Sequence, residues 1–147
     1  MSLNVPLLRE SFELVLAKSP ELTHRFYEIL FERYPATQEM FPKGRLGQQE
    51  NMLAQALVAV VDHLEDAPWL VSTLHGLGAR HVNYGVTDAM YAWVGDALLA
   101  TLREVAAEAW NAELEQAWSD AYGAIAGLMK EGAQLATMRS GAVAASA

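Results

Sequence analysis

The sequence contains no cysteine. That excludes disulfide staples and thiolate chemistry, and it fits a reducing compartment. Basic residues are scarce: ten Lys and Arg stand against eighteen Asp and Glu, a formal net charge of −8, with a sequence pI of about 4.9. This balance argues against nucleic acid and anionic membrane as partners, and it leaves a basic protein partner open. Long hydrophobic runs are missing. The longest, Ala54 to Val61, is too short to span a bilayer. Met1 to Pro6 has neither the basic start nor the apolar core of a secretory signal. We therefore expect a cytoplasmic protein. There is no glycine-rich phosphate loop and no Gly-x-Ser-x-Gly nucleophile elbow. Strand patterning and internal repeats are nearly absent as well.

What remains is helix. Of 147 residues, 52% are hydrophobic, which suits one domain with one core and leaves room for an internal cavity. Apolar residues recur at three- and four-residue spacing almost throughout, so the expected fold class is all-α. The first helix is expected over Val5 to Lys18, with Leu8, Phe12, Val15 and Leu16 inward. Ser19-Pro20-Glu21 reads as the start of a second helix, with Ser19 as its cap, running to Tyr34. Pro35 interrupts it, a short helical turn follows to Phe41, and Pro42 to Gly47 forms a loop. A third long helix runs from Gly47 to Leu64, and Asp66-Ala67-Pro68 opens a fourth. Thr87 caps a fifth to about Glu108, and Asn111 caps the last. The helical domain is expected to cover residues 1–138, with a small, polar, disordered tail over 139–147.

The histidines are the focus of the chemistry. His75 and His81 are six apart, on different sides of a helix, and without cysteine they do not build a zinc site. His81 follows Leu74 and Leu77 at helical spacing, so it faces inward one turn before Gly85 and Val86 end the helix. Taken alone it reads better as a satisfied core histidine or an end-of-helix cation than as a ligand. A single neutral imidazole on an apolar wall is also what haem iron requires. Two polar exceptions on apolar stripes, the Tyr27 hydroxyl and the Gln49 amide, offer hydrogen-bond donors to a ligand.

Beyond these single residues, the order of several motifs resembles one family. Phe26-Tyr27, Leu30-Phe31, Tyr34-Pro35 and Phe41 are similar to the second and third helices of bacterial globins of the flavohaemoglobin lineage. Gly47-Gln48-Gln49 with Leu53 resembles their distal helix, and Arg80-His81, Gly85-Val86, Tyr91 and Val94-Gly95 their proximal helix and the one after. Ala117-Trp118 with Ala121-Tyr122-Gly123 resembles the last helix. The likeness spans about Leu8 to Glu131 and includes the single-domain globins near neuroglobin.

The resemblance implies a three-over-three helical sandwich holding haem b, iron protoporphyrin IX. His81 would be the proximal iron ligand, Tyr27 and Gln49 the distal polar pair, and Leu53 the distal apolar wall. Phe41 would stack on the ring, Leu77, Val86 and Val94 would line the pocket, and Tyr91 would lie behind the His81 imidazole. Arg45 or Arg80 would reach a propionate. The ligand would be a diatomic gas, O2, NO or CO. Turnover of nitric oxide would need an external reductase, and the rival role is a gas or redox sensor acting through a protein partner. No oligomeric state follows. The family's proximal glutamate matches Ala133 here, and Glu131 lies about 200° round the helix from that position.

Overall fold

The computed structural model describes residues 3–41 and 44–146, with side chains through Arg139; Pro42 and Lys43 of the expected loop, and Met1, Ser2 and Ala147, lie outside the described residues. Among the described residues six α-helices carry the fold: α1 Val5–Lys18, α2 Leu22–Arg33, α3 Leu46–Asp62, α4 Ala67–Asn83, α5 Asp88–Ala106 and α6 Ala112–Ser146. Short 3-10 helices span Pro35–Met40 and Ala107–Ala109. The most extensive packing is between α4 and α6, then between α2 and α5, with α1 against α5 and α6 and α3 against α2. Among the described residues no helix is long and apolar enough to cross a membrane.

The boundaries follow local chemistry. Asn4 Oδ1 accepts from the Leu7 amide, Asp66 Oδ1 from Trp69 and Asn111 Oδ1 from Leu114, each satisfying a donor that a helix start leaves orphaned. Gly85 adopts φ +78°, the left-handed conformation that ends a helix, and the Val86 amide bonds back to the His81 carbonyl at 3.2 Å. One expectation shifts. Ser19 does not cap α2: it is the C-cap of α1, Pro20 and Glu21 form a turn, and Glu21 precedes Leu22 without a side-chain bond. At the other end, α6 is helical to Ser146. Alanine at positions 142, 144 and 145 favours that continuation.

The core sits around α5, where Ala97, Thr101 and Leu102 are almost wholly buried. From α1 come Leu8, Phe12 and Val15, each contributing about 1.5–3 kcal/mol on full burial. The buried Trp118 indole donates to Ser11 Oγ at 2.9 Å, so its polar atom is satisfied inside the core. Helix α4 crosses α6 at backbone distance. A Cβ on Gly78 would fall on the Met129 carbonyl, and one on Gly132 would fall on the His75 carbonyl. Glycine at both positions is what permits the approach.

Candidate functional site

The site lies between two apolar clusters. Tyr27, Phe41, Leu53 and Val94 belong to or pack against the larger one. Leu77, Val86 and Tyr91 belong to or pack against the second, built on Leu74, Ala126 and Met129. Few contacts join α3 and α4, and Tyr122 packs against both clusters. Only Val61 of α3 is buried, although its inner stripe is apolar; Leu53, Ala56, Leu57 and Val60 are half-buried. A half-buried apolar stripe of this kind suits packing against a largely apolar group.

Helix α2 delivers Tyr27, which is only 4% exposed. Its ring packs edge-on to Phe26 at 5.0 Å and to Phe41 at 5.3 Å, and Phe31 lies 5.8 Å away. Phe41 follows the 3-10 helix in extended backbone, which turns its ring onto this cluster. Burial pushes the Tyr27 phenol above its ordinary range, while the nearby Gln49 amide acts in the opposite direction. The phenol therefore stays protonated and remains a donor. Gln49 is half-buried in the first turn of α3.

An ion pair fixes the two distal helices together. His24, one turn before Tyr27, donates from Nδ1 to the Glu50 carboxylate at 3.0 Å. That hydrogen bond, then the Glu50 charge, raises the His24 pKa above 6.5. The clamp's contribution is therefore complete below the ordinary histidine value and fades as pH rises through the elevated one. We expect His24→Ala to lower the melting temperature at pH 5.5 and to leave it unchanged at pH 9. A gap independent of pH would refute the ionic role.

Helix α4 presents His81, half-buried in its last turn. His81 Nδ1 lies 2.7 Å from the Leu77 carbonyl oxygen. A carbonyl only accepts, so Nδ1 carries the proton and Nε2 keeps its lone pair. Burial lowers the His81 pKa, the Leu77 bond opposes this, and Arg80 adds to the lowering. The result is a neutral imidazole with a fixed tautomer, which is the donor chemistry a haem iron takes from a protein.

The aromatic neighbour of His81 is Tyr84, with centroids 5.6 Å apart, which the sequence reading overlooks. Tyr91 packs with the Leu74 cluster and lies beneath the Lys130 ammonium at 5.5 Å. Arg45 and Arg80 are exposed. Glu131 approaches His75 Nε2 at 3.6 Å, a buried nitrogen with no other partner among the described residues. It does not serve the His81 side.

The all-α fold and the neutral imidazole of His81 suit a protein of the haem-binding class. Residues 24–129 match the globin family model, and the chain belongs to the globin family. It is 36% identical over 126 residues to a flavohemoprotein from Bordetella pertussis, covering 84% of this chain and 30% of that protein. The chain thus spans about a third of the length of the curated relatives it matches. A bacterial globin from Campylobacter jejuni superposes with TM-score 0.76 at 26% identity, over 88% of this chain and 94% of that one. An engineered carbene transferase from Rhodothermus marinus superposes with TM-score 0.78 at 27% identity, over 92% and 95%.

Proposed function

We propose that this globin holds haem b on His81 and reversibly binds a diatomic gas, O2, NO or CO, opposite that residue. The observations that support the reading are two neighbouring donors, Tyr27 on α2 and Gln49 on α3, and, on α4, a neutral imidazole whose Nδ1 is taken up by the Leu77 carbonyl, leaving Nε2 free. The haem, when bound, supplies the iron at which a diatomic gas is taken up. The chain's own residues do the rest. Leu53 and Phe41 keep water from the distal space, and the Tyr27 hydroxyl and Gln49 amide donate to the partly negative end of the gas. In a dry site such donation slows escape. Val94, Leu77 and Val86 contribute apolar wall. Cytoplasmic location fits the missing cysteine and the acidic surface.

Two spectra of the purified, haem-loaded protein test the assignment: ferrous, with and without gas. A Soret band that shifts on adding O2, NO or CO is expected, and a ferrous spectrum indifferent to all three overturns it. Tyr27→Phe should speed oxygen dissociation by roughly tenfold, if its bond contributes about 1.5 kcal/mol. An unchanged rate would remove Tyr27 from the role.

A second reading has specific support. The Bordetella relative is a flavohemoprotein, and the Rhodothermus neighbour is named as a candidate nitric oxide dioxygenase. Nitric oxide turnover by this chain would draw electrons from an external reductase. Single-turnover mixing of the oxygen-loaded protein with nitric oxide, followed by nitrate analysis, decides it.

A further inference from the structure

A cleft of about 360 Å3 opens between the end of α4, the start of α5 and the later part of α6. None of its lining residues comes from α2 or α3, so it is distinct from the distal space beside Tyr27 and Gln49. Val82, Val86, Met138 and the Ala133 methyl give it apolar walls. Its cation is Lys130, held 5.5 Å from the Tyr91 ring centroid and paired with no carboxylate among the described residues. Gln134 adds amide donors. The Thr137 hydroxyl is already used on the Ala133 carbonyl at 3.0 Å. Asp88, also on the lining, is exposed at the first turn of α5.

We propose that this cleft is a binding site for a short-chain monocarboxylate. Its carboxylate would sit on the Lys130 ammonium and the Gln134 amide, and its hydrocarbon tail against Val82 and Met138. One ammonium suits a single negative charge better than a doubly charged phosphate, which Asp88 would oppose more strongly. The apolar walls call for a tail that inorganic anions lack. A cationic ligand is disfavoured because Lys130 already occupies the Tyr91 face. Occupancy reaches the neighbouring site through the backbone: Val82 follows His81 directly, and the Val86 amide bonds to the His81 carbonyl at 3.2 Å. This coupling, unlike the binding itself, rests on His81 being the haem ligand.

The test is a ligand-observed NMR titration of the haem-loaded protein with butyrate at constant ionic strength, followed in parallel by the visible spectrum. Saturable binding is expected with a Kd on the order of a millimolar, as suits so small a ligand. Lys130→Gln should weaken it about tenfold or more, one lost charge-assisted contact. Ala133→Glu, which places a carboxylate of its own in the cleft, should weaken it comparably. Butyramide should not compete. Equal binding by both variants and wild type, or butyramide binding as tightly as butyrate, overturns the site. A butyrate-dependent spectral shift that saturates with the NMR signal supports the coupling. Lys130-dependent binding with an unmoved spectrum supports the site and overturns the coupling.

Discussion

His81→Ala is expected to weaken haem retention at least tenfold and to abolish the iron–histidine stretching band of the ferrous protein. Removing even a partner that orients a metal-binding histidine costs roughly 10–100-fold in affinity, and here the ligand itself goes. The imidazole is neutral and its tautomer is set by the Leu77 carbonyl at 2.7 Å, so no protonation step or ring rotation has to precede binding. Because the bond partner of Nδ1 is a backbone oxygen rather than a carboxylate, the imidazole keeps little anionic character. The charged group over Tyr91 is Lys130, a cation, and Ala133 stands where the resemblance expects a glutamate. The iron–histidine band of the wild-type protein should therefore fall in the low range typical of neutral imidazole. Added imidazole should restore haem binding to His81→Ala by filling the site left by the side chain. If the band survives in His81→Ala, another residue is the ligand, and the distal assignments built opposite it lose their basis.

The helices were legible because their stripes and punctuation are local. Asn111, Asp66 and Gly85 act within three or four residues, and each does in the structure what its residue type suggests. Ser19 misled because a Ser-Pro pair suits a helix start and a turn equally well, and the chain uses it as a turn before Leu22. The inward direction of His81 was readable from its register with Leu74 and Leu77. Its tautomer was not, since that depends on where the ring rotates against its own helix. Tyr27 and Gln49 sit on separate helices, and only the family resemblance put them side by side. The contacts that nothing in the sequence announces are those between α4 or α5 and α6. Lys130 over Tyr91 and Glu131 against His75 join residues far apart in the chain. They arise because α4 lies so close on α6, and that closeness is set by two glycines whose meaning is invisible until both helices are placed.

Those glycines give the largest expected effect on stability. Gly78→Ala should cost about 3 kcal/mol or more, the upper end for overpacking a tight contact. The added methyl meets the Met129 backbone carbonyl, and no side-chain rotation can move that aside. For a chain of this size such a loss should lower the melting temperature by roughly 10 °C. Alanine's better helix propensity, worth about 1 kcal/mol, offsets only part of it. Gly132→Ala should behave alike, because its methyl meets the His75 carbonyl. The double variant should lose less than the two single losses added together, since one outward shift of α4 relieves both clashes. That shift also moves His81, three residues beyond Gly78, so haem retention should fall in step with stability. By contrast Gly123→Ala, where an added methyl meets nothing within 4 Å, should be neutral or stabilising. Thermal melts of the four variants decide the matter: a Gly78→Ala protein that melts with Gly123→Ala would mean that α4 and α6 do not meet at backbone distance, and that the fixed platform beneath His81 is not there.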